Sequence, residues 1–299
     1  MKNFIVRTTL FISIIIAIFI FILSLANGYT DPFYLRFTTP KQDNLILGTS
    51  RSAQGLQPMV FKRFLNRNFY NFSFTNAHSP FGSVYLNSIK HKLNPNIKDG
   101  IFIVTVDPWS ISNNGVNPND TTNFTENNLV LANTNFVNMN PNFEYLLKNL
   151  SGEYYKILMP NKVAMFLHDD GWLELNVSMD STAVSKRIKA KMEDYRKNTL
   201  PSSKLSFVRL SYLKQTVEFL KLHGKVYIAR LPVSPQMFEI EQELMFDFND
   251  KINQIVQLSD GYLDMTNENN LYQFIDGNHL WKESGKLVSQ KIAEWIKSK

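Results

Sequence analysis

Residues 44–53 read NLILGTSRSA, and this stretch decides the fold. Leu45-Ile46-Leu47 is an apolar run too short for a helix, and it stops at Gly48. Such a run, without polar alternation, suits a strand buried on both faces of a parallel sheet. The polar turn Thr49-Ser50-Arg51-Ser52 follows at the strand's carboxyl end. That is the edge at which open α/β sheets bind ligands.

The pattern repeats downstream. Leu56, Met59, Val60, Phe64 and Leu65 recur at helical spacing, and residues 69–74 read as a second strand. Val84, Leu86, Ile89 and Leu93 predict another helix, and residues 101–106 a third strand. Regularity resumes after residue 207 with a helix marked by Leu210, Leu213, Val217 and Leu220, ending near Gly224, where glycine suits a C-cap. Residues 226–229 read as a fourth strand, 236–258 as one helix and 262–265 as a fifth strand. A closing helix from about Glu283 carries Leu287, Val288, Ile292, Trp295 and Ile296 on one face. This alternation predicts a three-layer α/β/α fold with five parallel strands in the order 2-1-3-4-5.

Residues 110–205 interrupt it with an Asn-rich stretch, 113–142, and mixed helical segments. A structureless loop of that length does not suit a compact domain, so an insertion with its own structure, capping the site, is expected within a domain spanning 43–299. At the other end, Lys2 and Arg7 precede an apolar run from Leu10 to Ala26 broken only by Ser13 and Ser24. At ~1.5 Å per residue the run covers ~25 Å, which reaches a hydrocarbon core if residues 4–6 contribute. Residues 1–27 are therefore expected to be a single-pass anchor in the cytoplasmic membrane, with the amino terminus inside and the body outside. The competing reading is a signal peptide cleaved at the small residues Ser24 and Ala26, but the run is longer than a usual h-region. Residues 28–42, with Gly28, Pro32 and Pro40, read as a linker.

Composition narrows the function. The chain lacks cysteine, which removes disulfides, thiol nucleophiles and thiolate-bound metals. The net charge of +6 is spread along the chain without a nucleic-acid-binding signature. His168-Asp169-Asp170 are adjacent rather than at a ligand spacing, so they read as a solvated turn, and no metal or cofactor is expected. Chemistry is expected just after the strands, at Ser50, at Asn76, His78 and Gly82, at Asp107 and Trp109, at Arg230 and Ser234, and at Asp276 and His279. A serine hydroxyl becomes a nucleophile only when a base takes its proton, and that base needs a third group to fix its tautomer. Asp276 and His279 are three apart in a glycine-containing turn, which lets the carboxylate reach Nδ1 while Nε2 faces Ser50. Gly48 permits a tight turn into the helix that carries the serine. The backbone N–H of Ser50 is the first expected oxyanion donor.

At these residues the chain resembles the SGNH/GDSL-like hydrolases and acyltransferases. Leu-Gly-Thr-Ser-Arg-Ser, 47–52, is similar to their first block in its Gly-x-Ser-Arg form, and Asp-Gly-Asn-His-Leu, 276–280, to their last, Asp-x-x-His. The resemblance brackets residues 45–298 and implies a flavodoxin-like sheet, a Ser50–His279–Asp276 triad and esterase or O-acyltransferase activity. An anchor plus a mid-chain insertion is also similar to proteins of alginate O-acetylation and teichoic-acid D-alanylation, which work beside a multispanning membrane acyltransferase. It implies a cell-envelope glycan or acylated polymer as partner. The sequence departs from the family in having Gly-Thr-Ser for Gly-Asp-Ser, and Asp107 where an asparagine is usual. Asn76 and Gly82 are the positions left to complete the oxyanion hole. Arg51 and Asp107 read either as an ion pair or as substrate contacts, and Arg230 is open in the same way. The alternative function is a catalytically silent scaffold or binding subunit of an envelope polysaccharide machine.

Overall fold

The computed structural model describes residues 1–160, 162 and 164–299. Its centre is an all-parallel sheet of five strands: β1 (Leu45–Leu47), β2 (Tyr70–Asn71), β3 (Gly100–Thr105), β4 (Gly224–Arg230) and β5 (Gly261–Asp264). They lie in the order β2-β1-β3-β4-β5. Leu45 is in register with Tyr70 on one side and Phe102 on the other, Phe102 with Val226, and Ile228 with Tyr262.

Side chains alternate between two cores. Leu45, Leu47, Phe102, Val104, Val226 and Ile228 pack on one face against helices Ser83–Lys92, Phe207–Lys221 and Phe248–Val256. Ile46, Ile103, Tyr227 and Ala229 pack on the other face against helices Pro58–Leu65 and Lys282–Lys297. Both faces are covered, which is why these strands are continuous apolar runs rather than alternating ones. The chain is thus α/β with helices on both sides of the sheet.

Several elements differ from expectation for local reasons. The second strand is only two residues long; beside and beyond it side chains join the bonding, Asn71 Nδ2 donating to Ser52 O and Leu56 O, and Ser73 Oγ to Ile46 O. Gly224 does not cap a helix. The helix ends at Lys221, and Gly224 opens β4 at φ +158, where a Cβ would overlap the Gly100 backbone of β3. The helix expected over 236–258 is two, Pro235–Met245 and Phe248–Val256. They serve different cores: Met237 and Ile240 pack with Trp109, whereas Phe248, Ile252 and Ile255 pack under the sheet.

The stretch 28–42 is not a linker in this structure. Thr30, Tyr34, Arg36 and Phe37 are buried around the 3-10 turn Tyr34–Phe37. The Arg36 guanidinium donates to Pro32 O, Asn71 O and Gly171 O. Lys92 Nζ donates to Arg36 O, Thr39 O and Val137 O, locking the stretch against the sheet.

Residues 110–205 divide by function. Val130, Leu131, Val137, Tyr145, Leu146, Leu150 and Ile157 join the main core, and Glu126 forms a buried ion pair with Arg209 at 2.7 Å. The later part, helix Ser181–Asp194 and the turn after it, lies along the strand ends. At the amino end, the helix Lys2–Ser24 is long and apolar enough to cross a membrane and is exposed along nearly all its length.

Candidate active site

Ser50 is the first residue of the helix Ser50–Gly55, which starts directly after β1 and Gly48-Thr49. Gly48 sits at φ +148, and a Cβ there would overlap Thr105 Oγ1, so the turn needs glycine for both conformation and space. Its carbonyl accepts Ser79 Oγ at 2.7 Å, and its N–H donates to the Tyr85 hydroxyl at 3.0 Å. The first helical acceptor, Thr49 O, is taken by Ala53 N–H at 3.0 Å. The N–H groups ahead of it, including that of Ser50, have no partner within the helix.

The second half comes from the turn 276–279 before the closing helix. Asp276 Oδ1 accepts the N–H groups of Asn278 and His279 at 3.0 and 2.9 Å, which folds the turn onto its own carboxylate. The same carboxylate lies 2.9 Å from His279 Nδ1 through Oδ2. His279 Nε2 is 2.8 Å from Ser50 Oγ. Burial pulls the Asp276 carboxyl upward, but hydrogen bonding and charge from His279, with Lys191 at 3.5 Å, outweigh it and hold the group well below the usual carboxylate range. It is ionised at neutral pH. With Nδ1 facing a carboxylate, the ring's proton is held there, and Nε2 is left to accept from the serine.

Beneath this surface lies a buried charge cluster. Arg51 Nη1 meets Glu241 Oε1 at 2.6 Å and Asp107 Oδ2 at 3.8 Å, and Arg230 meets Glu241 Oε2 at 3.0 Å. Arg230 also reaches Asp264 at 3.8 Å and stacks over Phe248. Both guanidiniums are buried, so they are structural ion pairs rather than groups open to substrate. Asp107 accepts Ser110 N–H at 2.8 Å as the cap of a 3-10 turn. Burial, helped by Glu241, pushes its carboxyl up against the opposing pull of Arg51.

The two residues expected to complete the oxyanion hole make no hydrogen bond to Ser50 or His279 among the described residues. Asn76 is exposed in the turn after β2. Gly82 is buried, and a Cβ there would meet Glu126 Oε1 at 2.8 Å and Arg209 at 3.4 Å, so its smallness serves the ion pair of the insertion. His78 pairs with Thr75 Oγ1 at 2.7 Å and packs on Phe33; burial takes its ring down to about 4. His168 is held by Glu174 at 2.9 Å and stacks on Trp172. Ser234 caps helix Pro235–Met245, and its N–H donates to Gly277 O at 2.8 Å.

Asn278, which no sequence pattern marked, joins the site. Its Oδ1 accepts Arg51 Nε at 3.0 Å and Nη2 at 2.6 Å. That fixes which end of the amide is oxygen and leaves Nδ2, a donor, 3.4 Å from His279 Nε2. The signal was only that Asn278 sits inside the Asp-x-x-His turn; what aims it is Arg51, 227 positions away. On the far side of Gly277, a cleft of about 400 Å3 is lined by Ile188, Ser234, Asn269, Tyr272, Gln273 and other side chains, none of them ionisable below the tyrosine range.

Fold and geometry together define an α/β protein with a serine, histidine and carboxylate in hydrogen-bonded sequence at the carboxyl edge of a parallel sheet. Comparison of the sequence with known protein families and with curated proteins finds none that matches.

Proposed function

We propose that the protein is a serine esterase or O-acyltransferase of SGNH type, working through an acyl-Ser50 intermediate. The observation that carries this reading is the continuous relay Ser50 Oγ to His279 Nε2 at 2.8 Å and His279 Nδ1 to Asp276 at 2.9 Å. His279 takes the serine proton as Oγ attacks the ester carbonyl, and then gives it to the departing alkoxide. Asp276 keeps the ring in the required tautomer and stabilises the imidazolium. In this reading the N–H of Ser50 donates to the oxygen that becomes negative, and Asn278, whose Nδ2 lies 3.4 Å from His279 Nε2, is taken as the side-chain donor rather than the exposed Asn76. Water or a sugar hydroxyl then releases the acyl group by the same proton route reversed.

The substrate class in this reading is an acyl ester of a cell-envelope glycan or polymer, handled outside the cytoplasmic membrane and beside a multispanning acyltransferase. The apolar helix Lys2–Ser24 and the uncharged cleft behind Gly277 support it. The test is labelling of the full chain by a fluorophosphonate, with turnover of an activated acetyl ester. Labelling that Ser50→Ala abolishes is expected. A folded wild-type chain that neither labels nor turns over would instead favour the silent scaffold.

A further inference from the structure

We propose that Tyr155, Leu158, Met159 and Met165 form a lipid-contacting face that seats the globular part directly on the bilayer, at the leaflet where helix Lys2–Ser24 emerges. This rests on reading that helix as a membrane anchor. The helix has 23 residues, ~34 Å at ~1.5 Å each, and a hydrocarbon core takes up ~30 Å. Crossing the bilayer therefore consumes the helix, and residues 24–27 emerge at the headgroup level.

The chain has no slack at that point. Leu23 is already buried in the main core, as are Tyr34 and Phe37 beyond it, and Thr30 between them is buried too. Gly28 O accepts Leu167 N–H at 3.0 Å, and a Cβ on Gly28 would overlap the Leu167 carbonyl. The globular part thus begins where the membrane ends, and whatever flanks the last turn of the anchor lies in the interfacial zone.

What flanks it is apolar. The short helix Tyr155–Leu158 packs against the last turn of the anchor. Ile157 points inward, while Tyr155 is 58% exposed, Leu158 57% and Met159 74%, with Met165 at 39% on the neighbouring hairpin. Exposed apolar side chains gathered in one place mark an interaction surface rather than ordinary protein surface. An aromatic and basic rim surrounds them: Tyr29 packs on Phe166 at 4.5 Å, Lys162 Nζ lies 5.9 Å from the Tyr29 ring, and Lys156 pairs with Glu153. Tyrosine and lysine at the edge of an apolar patch are the groups that settle at headgroup depth. A cleft of about 440 Å3 between Gly28–Pro32 and Met159 opens on the same face. The hairpin carrying Met165 also holds the nucleophile helix, through Trp172 Nε1 to Gln54 O at 2.8 Å, so seating this face fixes the height of Ser50 above the bilayer.

The chain's lack of cysteine makes the test clean, since each single-cysteine variant takes a nitroxide at one place. The full chain is reconstituted into vesicles of phosphatidylethanolamine and phosphatidylglycerol, carrying Leu158→Cys, Met159→Cys, Ile16→Cys in the anchor, or Phe246→Cys on a distant exposed turn. Relaxation by oxygen and by a water-soluble nickel chelate is compared. The ratio of oxygen to nickel accessibility at 158 and 159 is expected to exceed that at 246 several-fold and to approach that at 16. A ratio at 158 and 159 equal to that at 246, with 16 still in lipid, overturns the seating alone. Labels at 158 and 159 shielded from both reagents overturn it in favour of a protein partner. An aqueous reading at 16 removes the anchor itself, and the seating with it.

Discussion

Ser50 and His279 are 229 positions apart in the chain, and Oγ and Nε2 are 2.8 Å apart in the fold. In the proposed mechanism they act as a unit, so Ser50→Ala and His279→Ala are each expected to lower kcat by ~10^4 or more, and the double variant to be little worse than either. Asp276→Asn should lower kcat by up to ~10^4 with the fold intact, because the amide no longer fixes the tautomer. Ester turnover with circular dichroism on each variant checks both. Asn278→Ala is expected to lower kcat ~10^2-fold or more with KM nearly unchanged, the mark of a donor used only in the transition state. Asn76→Ala should leave turnover as it was. Equal effects of the two would return the side-chain donor to the loop after β2. Arg51 behaves differently, since Arg51→Ala leaves Glu241 buried with a cation removed and should cost ~3–5 kcal/mol of stability in a denaturant titration.

Among elements, the segment 28–42 has the clearest physical signature. Burial lowers the Lys92 ammonium to about 7, although its carbonyl acceptors favour the charged form. The folded value lies below the unfolded one of ~10.4, so between these pH values the unfolded chain holds more protons than the folded one. Lys92 therefore makes stability rise with pH through that window. Lys92→Met should cost ~1–3 kcal/mol or more near pH 7 through the carbonyls it strands, and should also flatten the rise toward pH 10. Denaturant midpoints at the two pH values decide this; an unchanged pH slope in the variant would place the titration elsewhere. The turn at Gly48 is the other sensitive element. Gly48→Ala meets an unfavourable φ and the Thr105 hydroxyl together, and is expected to cost ~1–3 kcal/mol and to displace Ser50, lowering fluorophosphonate labelling at pH 7.

For the whole molecule, the stretch 110–205 is too deeply shared with the core to be removed as a cap. Deleting it strips Tyr145, Leu146 and Ile157 from the main core and leaves Arg209 buried without Glu126, so the deletion is expected not to fold. Exchanging side chains only along helix Ser181–Asp194, for example Ile188→Ala facing the cleft, should alter ester selectivity with stability nearly kept. A cooperative melt for the full deletion would show the segment to be separable. Topology is checked at the same scale: a reporter fused at Lys299 should be active outside the cytoplasm and silent within it.

The α/β class, the five strands and their order, the apolar amino-terminal helix, and Ser50, Asp276 and His279 as residues at one sheet edge were legible in the amino-acid sequence. The elements and the Asp276–His279 pair follow from local pattern: unbroken apolar runs for strands covered on both faces, a 3.6-residue period for helices, and a turn whose carboxylate and imidazole are near neighbours; the strand order and the shared edge follow from the alternation of strand and helix along the chain. What depends on side-chain partners distant in the chain was set by packing. Arg51 turned inward because Glu241 and Asp107 close around it, which in turn aimed Asn278 at the site. Gly82 went to the Glu126–Arg209 pair, and the apparent linker 28–42 became core because Lys92, Asn71 and Gly171 met its polar groups. A buried charge or carbonyl is stable only when its partner arrives, and which partner arrives is fixed by packing across the sheet rather than by the residues on either side in the chain.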